Sequence, residues 1–264
     1  HPHAFKVRCN NLKSPYDVFN DDVVFSNGIR KLLKGSFFKK TSFEVLMSQS
    51  DKVKGNIRTI LRRVTGSQMV SNFRPVTASM IYKLFCDEND TVWDMSCGWG
   101  GRLLGSVKSK INYIGTDPNT TTMKGLKEFV KTFGNKSNTY ELLTMGSEEY
   151  KPKKNSLDFA FTSPPYFDTE KYSNEKTQSY LKYSNINTWK EKFLRKTIDN
   201  VYLGLKDNKF MVLNVADVRN YQSFEKDTVD IAESVGFKLV DTFDYILSSQ
   251  QSDSKSEPIF IFKK

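Results

Sequence analysis

From residue 71 onward, short apolar runs alternate with longer stretches in which apolar residues recur every three or four positions. A short apolar run is typical of a buried strand, and the second pattern is typical of an amphipathic helix. We predict strands at 91–94, 113–116, 140–145, 157–161, 209–215, 237–247 and 258–262, and helices at 76–85, 123–133 and 189–205. We expect the polar stretch 248–257 to separate the last two strands. This alternation indicates an α/β fold in which helices cover both faces of a mainly parallel sheet.

The first 70 residues show helical patterns and no comparable series of strands. Asn27-Gly28 precedes a short predicted helix at Ile29–Leu33. A second helix is predicted at 52–64, where apolar residues recur with a helical period. We therefore divide the chain into a basic, mostly helical N-terminal region, residues 1–70, and one larger domain, residues 71–264.

The positive charge of the chain is concentrated at its start. The 40 Lys and Arg residues exceed the 30 Asp and Glu residues, so the net charge is +10. Residues 1–70 hold 13 of the basic and 5 of the acidic residues, so +8 of this charge lies there. On the predicted helix 52–64, Lys54, Arg58 and Arg62 form a basic stripe away from the apolar face. Such a stripe suits contacts with nucleic-acid phosphates, and it equally suits a solvated helix face.

Length, hydropathy and cysteine content exclude several classes of protein. The 264 residues, 38% of them hydrophobic, can form one substantial core and a small appended region. No apolar run reaches the ~18 residues of a membrane span, and we expect no signal peptide. Cys9, Cys86 and Cys97 lack the spacing of a metal site or a disulfide framework, as in a reducing compartment. We expect a soluble cytoplasmic protein with no membrane partner, associated with the nucleoid or, for a viral protein, located in the host cytoplasm.

A glycine loop follows the first predicted strand of the larger domain. The strand ends at Asp94, and Ser96-Cys97-Gly98-Trp99-Gly100-Gly101 leads into a helical pattern. This order is typical of a nucleotide-binding βαβ unit, where glycines let the backbone approach a ligand closely, although the spacing is not the dinucleotide GxGxxG. The second strand ends at Asp117, a position where a carboxylate usually binds a ribose diol. Asp117 could instead cap the helix that follows.

The pentapeptide Thr162-Ser163-Pro164-Pro165-Tyr166 directly follows the apolar run 157–161. Prolines have fixed φ angles and no N–H, so this turn offers hydrogen-bond acceptors without competing donors. The Ser163 hydroxyl and the Pro164 carbonyl could hold both hydrogens of an exocyclic amino group and draw its nitrogen toward tetrahedral geometry, while Tyr166 stacks on the ring. Taken alone, the pentapeptide is also compatible with a loop that merely ends a buried strand.

The glycine loop, Asp117 and Ser-Pro-Pro-Tyr follow one another in this order along the chain. On these features, the chain resembles the S-adenosylmethionine-dependent amino-methyltransferases of DNA, which make N4-methylcytosine or N6-methyladenine. The resemblance covers roughly residues 70–264. The chain departs from the family's frequent Phe-x-Gly-x-Gly at Ser96–Gly100. The resemblance implies an α/β fold of the Rossmann-like class I methyltransferase type, with a seven-stranded, mainly parallel sheet whose last strand inserts antiparallel.

The resemblance also implies roles for individual residues. It implies S-adenosyl-L-methionine as the cofactor. The methionine-end segment, which covers the methionine end of the cofactor, is Phe73, Arg74 and Pro75, and the glycine loop contributes Asp94, Cys97, Gly98 and Gly100. Asp117, followed by Pro118, binds the ribose, Ser147 and Glu148 contact the adenine ring, and Thr162 belongs to the catalytic strand. The implied catalytic residues are Ser163, Pro164, Pro165 and Tyr166. A serine at the first of these positions favours cytosine N4 over adenine N6. No metal is expected, because in-line displacement at a sulfonium methyl depends on alignment.

The segment 167–188 shows no clear secondary-structure pattern, which is typical of a functional lid and also of a surface loop. We expect it to close over an extruded base or to contact DNA, with Phe167 and Tyr172 as DNA-binding residues besides the basic stripe. Asn214 and Asp217, at the end of a later strand, could line the base pocket.

These expectations combine into one predicted function. The chain is expected to be a site-specific DNA methyltransferase, of the kind found in restriction–modification, that flips one base out of double-stranded DNA and methylates its exocyclic amino group. One alternative is an RNA base amino-methyltransferase. The other is a non-catalytic nucleic-acid-binding module on the same fold, against which the retained glycine loop, Asp117 and Ser-Pro-Pro-Tyr speak.

Overall fold

A computed structural model describes residues 2–9, 12–34, 65–67, 70–250 and 253–264. The chain divides into two compact units. The larger unit contains Asn72–Thr169 and Ser173–Lys264, and the smaller unit contains Pro2–Ser71 together with Glu170–Tyr172. The predicted basic stripe of Lys54, Arg58 and Arg62 lies outside the described residues, so its contact with DNA stays a prediction.

The smaller unit begins with short elements. A 3-10 helix, Pro2–Lys6, precedes strand β1, Arg8–Cys9. Helix α1 is Pro15–Asn20 and helix α2 is Asp22–Lys34. Strand β1 pairs antiparallel with β6, Glu170–Lys171. A short piece of the segment predicted to form a lid thus belongs to this unit.

Local signals set the helix boundaries in the smaller unit. Ser14 caps α1, because its Oγ accepts the Asp17 N–H at 3.1 Å while the Asp17 carboxylate accepts the Ser14 N–H at 2.9 Å. Helix α2 differs from the prediction of a short helix at Ile29–Leu33, since it runs without interruption through Asn27-Gly28. A glycine inside a helix costs only about 1 kcal/mol relative to alanine, and the remaining turns can offset that cost.

The described part of the larger unit contains seven strands that form one sheet: β2 Thr91–Asp94, β3 Asn112–Thr116, β4 Tyr140–Leu143, β5 Leu157–Thr162, β7 Leu205–Asn214, β8 Lys238–Gln250 and β9 Asp253–Lys263. Their order across the sheet is β4-β3-β2-β5-β7-β9-β8. The first five strands of this order are parallel, and β9 runs antiparallel between β7 and β8. The predicted fold class is therefore confirmed, including the antiparallel last strand.

Helices connect these strands: α3 Pro75–Phe85, α4 Gly101–Ser109, α5 Thr120–Phe133, α6 Ser179–Lys182, α7 Ile186–Trp189, α8 Lys196–Gly204 and α9 Phe224–Val235. The single helix predicted at 189–205 contains a π-helical segment, Lys190–Arg195, between α7 and α8. Helix α9 is not among the predicted elements, although Phe224, Thr228 and Ile231 recur with a helical period and are buried. Across the described ranges, no helix is both long enough and apolar enough to cross a membrane.

The last two strands also differ from the prediction. The polar stretch 248–257, expected to separate them, lies almost entirely in β8 and β9, and Gln250 pairs with Asp253. The side chains of Asp241 and Asp244 in β8 are already exposed. An antiparallel ribbon carries polar residues wherever its face meets water, so polarity did not mark the end of either strand.

Strand β5 lies at the centre of the sheet, and all of its residues are buried. Phe159 and Phe161 pack with Tyr82 of α3 in one apolar cluster. Ala160 belongs to another cluster, which contains Trp189 of α7. Successive residues of a strand point to opposite faces, so helices cover β5 on both sides. The carboxyl edge of the parallel strands is then the place where a ligand can meet the sheet.

Candidate active site at the carboxyl edge of the sheet

Four parallel strands end side by side at this edge. Asp94 of β2 pairs with Gly115 of β3, and β3 pairs in turn with β4. On the other side of β2, Trp93 pairs with Ala160 of β5. The glycine loop, Asp117, the Ser147-Glu148 segment and the Ser-Pro-Pro-Tyr motif therefore leave the sheet in neighbouring positions.

Asp94 ties the glycine loop to the Ser-Pro-Pro-Tyr strand. Its side chain is fully buried, and its Oδ1 accepts the Thr162 hydroxyl at 2.8 Å. The same Thr162 oxygen accepts the Ser96 N–H at 3.0 Å. The other carboxylate oxygen, Oδ2, accepts the Tyr113 hydroxyl at 2.6 Å. Both oxygens of Asp94 are thus occupied by protein donors, and direct contacts of Asp94 and Thr162 with a cofactor stay predictions.

Arg102, which the sequence analysis missed, supplies the positive charge for Asp94. Its Nε donates to Asp94 Oδ2 at 2.8 Å, and its guanidinium also bonds the Ser96 carbonyl. Burial alone would lower the pKa of Arg102, but the Asp94 carboxylate outweighs burial and raises it. A signal was present in the sequence: Arg102 stands in the first turn of α4, where a cation is unfavourable unless a carboxylate pairs with it.

The glycine loop turns with left-handed backbone at two positions. The φ angle is 51° at Gly98 and 80° at Gly100, a region that non-glycine residues rarely adopt. A Cβ on Gly98 would meet only the Ser96 carbonyl oxygen, at 3.8 Å, so the loop borders open space there. The Gly98 N–H donates to Asp117 Oδ2 at 3.1 Å. The loop and the predicted ribose carboxylate therefore form one hydrogen-bonded unit.

The Asp117 carboxylate is oriented by backbone donors. Besides the bond from Gly98, its Oδ1 accepts the Asn119 N–H at 2.9 Å. Asn119 caps α5 through the Thr122 N–H, so Asp117 is not the cap of this helix. Burial raises the pKa of Asp117 to about 6, against the lowering effect of the two N–H donors. Asp117, followed by Pro118, thus presents a carboxylate of fixed direction that protonates more readily than an ordinary aspartate.

The segment Phe73-Arg74-Pro75 lies beside the glycine loop. A Cβ on Gly101 would lie 2.0 Å from the Phe73 carbonyl oxygen, so this close approach requires glycine. The Phe73 ring stacks on Tyr245 of β8 with ring centroids 4.8 Å apart. The Arg74 guanidinium donates to the backbone carbonyls of Ile246 and Leu247. The methionine-end segment thus lies beside the glycine loop, while the side chains of Phe73 and Arg74 contact the hairpin formed by β8 and β9. The contact of this segment with a cofactor stays a prediction.

Glu148, after β4, holds an unusual carboxylate. Its side chain is 4% exposed, and its Oε1 accepts Lys182 Nζ at 2.6 Å and the Tyr183 hydroxyl at 3.3 Å. Its Oε2 is buried and has no hydrogen-bond partner among the described residues. Neighbouring Ser147 is also buried, with its hydroxyl 2.8 Å from that of Thr197. A buried, unpaired carboxylate oxygen is costly, so this position suits a ligand that donates an N–H.

The segment predicted to form a lid contacts the ends of β3 and β4. The Glu175 carboxylate accepts the Thr120 hydroxyl at 3.1 Å, and Thr177 Oγ1 donates to the Pro118 carbonyl at 3.4 Å. Farther along the segment lie the Lys182 bond to Glu148 and the short helix α6. The expectation was a segment over an extruded base. Several described contacts of residues 173–185 are with the half of the edge that carries Asp117 and Glu148, and the contact of this segment with a base or with DNA stays a prediction.

Ser-Pro-Pro-Tyr extends from the end of β5 beside the glycine loop. Pro164 is buried, and Ser163, Pro165 and Tyr166 are partly exposed. The Tyr166 ring meets Phe224 of α9 edge to face, with centroids 5.3 Å apart. Tyr166 thus packs at the margin of the apolar cluster that contains Phe224 and Trp189.

The remaining predicted residues occupy varied positions. Cys97 is buried, and burial raises the pKa of its thiol well above the usual value, so it is a poor nucleophile. Asn214 ends β7 at the same sheet edge, whereas Asp217 Oδ1 accepts the N–H of Glu225 at the start of α9. Phe167 has a φ of 50° and lies edge to face on Trp189. Tyr172 belongs to the smaller unit, where its hydroxyl bonds Glu170, and the DNA contacts of Phe167 and Tyr172 stay predictions.

No family model matches the sequence, and no curated protein shows significant similarity to it. Solved structures do match the fold. A SAM-dependent O-methyltransferase from Thermotoga maritima is 10% identical over 76% of this chain and 69% of its own, with a TM-score of 0.52. A SAM-dependent methyltransferase from Methanosarcina mazei is 14% identical over 70% of this chain and 96% of its own, with a TM-score of 0.50.

A third match contains a bound ligand. It is the 1,6-didemethyltoxoflavin-N1-methyltransferase of Burkholderia thailandensis, with 1,6-didemethyltoxoflavin and S-adenosylhomocysteine bound. It is 9% identical over 72% of this chain and 77% of its own, with a TM-score of 0.50. Structural similarity at such low sequence identities establishes the fold of this chain and does not identify its substrate. The chain thus has the Rossmann-like fold found in SAM-dependent methyltransferases.

Proposed function

We propose that this chain is an S-adenosylmethionine-dependent methyltransferase that methylates the exocyclic amino group of a base in double-stranded DNA, cytosine N4 in preference to adenine N6. The observation that carries the proposal is the Asp94–Thr162 hydrogen bond of 2.8 Å. Because Thr162 immediately precedes Ser163, this bond joins the glycine loop to the motif suited to a planar amine. A methyl donor beside the loop and an amine at the motif are then within reach of each other.

Features of the described residues fit S-adenosylmethionine. The Asp117 carboxylate, oriented by two backbone N–H groups, suits a ribose diol. The open space at Gly98 admits a ligand against the loop backbone. The unpaired Glu148 Oε2 suits the amino group of adenine. When bound, the cofactor supplies a methyl group on a positively charged sulfur, which a nucleophile can displace without a separate leaving-group acid.

On the substrate side, this chain's residues hold and polarise the amine. The Ser163 hydroxyl and the Pro164 carbonyl accept its two hydrogens, which localises the nitrogen lone pair that the ring otherwise withdraws. Prolines at 164 and 165 contribute no N–H to compete for those acceptors. The Tyr166 ring stacks on the heterocycle and offsets part of the few kcal/mol needed to extrude a base. A serine at 163 favours cytosine, which sets the preferred base.

The partner proposed for this reaction is duplex DNA. The support is the charge of +8 carried by residues 1–70, since clustered Lys and Arg bind phosphate backbones. The proposal includes extrusion of the base, because an exocyclic amine inside a duplex cannot reach the carboxyl edge of a sheet. Folded RNA also offers unpaired amino bases, so RNA substrates form the decisive comparison.

The test is methyl transfer from isotopically labelled S-adenosylmethionine to duplex DNA, tRNA and rRNA, followed by nucleoside mass spectrometry. We expect labelled N4-methylcytosine from DNA and no label in either RNA. Labelled N6-methyladenine would show that the substrate base is adenine and would leave the proposed type of reaction unchanged. Label in RNA alone would overturn the DNA assignment. Failure to bind S-adenosylmethionine by calorimetry would favour a non-catalytic nucleic-acid-binding module.

A further inference from the structure

The segment predicted to form a lid meets the cofactor half of the sheet edge, which carries Asp117 and Glu148, at two places. At the first, Thr177 Oγ1 donates to the Pro118 carbonyl at 3.4 Å, directly after the Asp117 carboxylate. At the second, Lys182 Nζ donates to Glu148 Oε1 at 2.6 Å. The chain between these two contacts therefore runs from the predicted ribose position to the predicted adenine position.

The two positions are close to each other on the sheet. Strands β3 and β4 are parallel neighbours, and the Asp117 N–H, just after β3, donates to the carbonyl of Leu143 at the end of β4 at 3.2 Å. Glu148 follows β4 after a short turn, where a side chain on Gly146 would collide with the Glu148 carboxylate. That carboxylate is thus folded against the backbone that leaves β4. Neighbouring strands lie about 4.8 Å apart, a distance that an adenosine spans.

Gln178 lies between the two contacts and has an amide that the protein does not use. The residue is 5% exposed, and its Nε2 is buried without a hydrogen-bond partner among the described residues. Gln178 directly precedes helix α6, yet its side chain forms no capping bond with that helix. Its backbone is fixed, because its N–H donates to the Glu175 carbonyl and its carbonyl accepts the Lys182 N–H, both at 2.9 Å. A fixed residue thus carries an unused donor.

The unused groups of Gln178 and Glu148 are complementary in kind. Glu148 Oε2 lacks a donor and Gln178 Nε2 lacks an acceptor, and burial without a partner costs free energy in both cases. Lys182, one helical turn after Gln178, links the two residues through its bond with Glu148. A ligand that offers an N–H and a neighbouring lone pair would satisfy both groups. The amino edge of adenine has this pattern, because its amino group lies between the ring nitrogens N1 and N7.

We propose that Gln178 binds the adenine of S-adenosylmethionine, donating from Nε2 to a ring nitrogen beside the amino group that Glu148 accepts. This inference rests on the cofactor part of the proposed function and does not depend on which nucleic acid is methylated. The bonds of Thr177 and Lys182 hold the amide in place before the ligand arrives, which lowers the entropy lost on binding. Part of the segment predicted to form a lid then closes over the adenosine.

Analogues of the ligand test this bond in the parent protein. Calorimetry compares S-adenosylhomocysteine with its 1-deaza, 3-deaza and 7-deaza analogues, each of which has a C–H in place of one ring nitrogen. We expect either the 1-deaza or the 7-deaza analogue to bind about 3- to 10-fold more weakly, as for loss of one neutral hydrogen bond. The 3-deaza analogue should bind like S-adenosylhomocysteine, since N3 lies away from the amino group.

Variants of Gln178 identify the protein's side of the bond. Gln178→Leu, of similar size and without a donor, should weaken S-adenosylhomocysteine binding about 3- to 10-fold. It should bind the sensitive deaza analogue no more weakly than S-adenosylhomocysteine, because both changes remove the same bond. Gln178→Met should behave in the same way and replaces Gln178→Leu if that variant does not fold. Gln222→Leu, at an exposed glutamine, is the matched control and should bind every ligand as the parent does.

The outcomes separate this inference from the function on which it rests. Equal affinity of the parent for S-adenosylhomocysteine, the 1-deaza and the 7-deaza analogue overturns the role of Gln178, and so does a loss that persists in Gln178→Leu. Methylation of DNA by that same parent would leave the proposed function standing. A parent that does not bind S-adenosylhomocysteine overturns both the cofactor and the role of Gln178. Coupled losses support the inference whichever nucleic acid is methylated.

Discussion

The two halves of the sheet edge are held in place by different means. At the ends of β2 and β3, backbone N–H groups orient Asp117, and a buried ion pair with Arg102 fixes Asp94. At the Ser-Pro-Pro-Tyr motif, one side chain positions another, because the Tyr166 ring packs edge to face on Phe224 of α9.

This difference shows how one fold can combine a constant reaction with a variable substrate. Contacts built from backbone and buried charge change little when surface residues are replaced, so the first half suits a ligand common to many enzymes. Contacts between side chains on loops can be altered by single substitutions. We therefore infer that substrate choice resides in the second half.

Replacement of Asp94, the buried carboxylate, should have the largest effect, and this effect should be on the stability of the protein. Asp94→Ala leaves the Arg102 guanidinium buried without its partner, so the free energy of unfolding should fall by about 3–5 kcal/mol. Urea denaturation followed by circular dichroism measures the change. Glu88→Ala removes an exposed pair with Lys110 and should alter stability by less than about 1 kcal/mol. Equal, small changes in both variants would show that the ion pair does not hold the first half together.

Tyr166→Ala should have the largest effect on the second half. Loss of base stacking is expected to reduce kcat/KM for DNA by about 10- to 100-fold. Affinity for S-adenosylhomocysteine should stay at the parent value, since Tyr166 lies outside the cofactor half. Phe133→Ala, at an exposed aromatic residue that ends α5, serves as the control. If Tyr166→Ala also lost affinity for S-adenosylhomocysteine, Tyr166 would belong to the cofactor half, and the distinction between the two halves of the edge would be wrong.

Asp117 provides a test by pH. Burial raises its pKa to about 6, and a protonated carboxyl accepts hydrogen bonds from ribose hydroxyls poorly. Affinity for S-adenosylhomocysteine should therefore fall as the pH drops through about 6, as measured by calorimetry on either side of that pH. Asp117→Asn should bind more weakly and lose this pH dependence. The chain contains only two histidines, so few other groups titrate in this range.

Stability should respond to the same group in the opposite direction. The pKa of Asp117 in the folded state exceeds the ordinary value of 3.8, so the folded protein binds this proton more tightly than the unfolded chain does. Its contribution to stability is present at low pH and is lost as the pH rises through about 6. Thermal unfolding of the parent and of Asp117→Asn across this range measures the difference. Identical pH profiles would contradict the raised pKa.

Lys182→Met should have the smallest effect. The Lys182 side chain is 30% exposed, so its pairs with Glu148 and Glu149 are partly screened and contribute at most about 1 kcal/mol. Dissociation of S-adenosylhomocysteine, measured by stopped flow, should accelerate up to about fivefold. Lys110→Met, at another exposed pair, should leave the rate unchanged. An effect on KM for DNA without one on cofactor release would place residues 173–185 over the substrate, as the sequence suggested.

Local sequence order predicted where the glycine loop, Asp117 and the Ser-Pro-Pro-Tyr motif lie at the edge. Asp117 and the glycine loop were found because each lies at the end of its own strand, where position along the chain translates directly into position at the edge. The motif at Ser163–Tyr166 was found for the same reason.

The differences between the prediction and the structure have physical causes. In the sequence, Arg102 looks like an ordinary basic residue on a helix, because its burial against Asp94 is evident only from the structure. The strands β8 and β9 continue through polar residues, where the apolar signal used to find strands is absent. The contacts of Glu175 and Thr177 with the start of α5 depend on tertiary packing, which periodicity does not encode.

In the proposed reaction, a methyl donor and an exocyclic amine meet at this sheet edge. The most direct measurement is single-base methylation mapping of DNA from cells that express the protein, with tRNA and rRNA from the same cells as the comparison. We expect N4-methylcytosine at one recurrent DNA sequence, and a smaller methylated fraction at that sequence in cells that express Tyr166→Ala. DNA without any new methylated cytosine or adenine would contradict it.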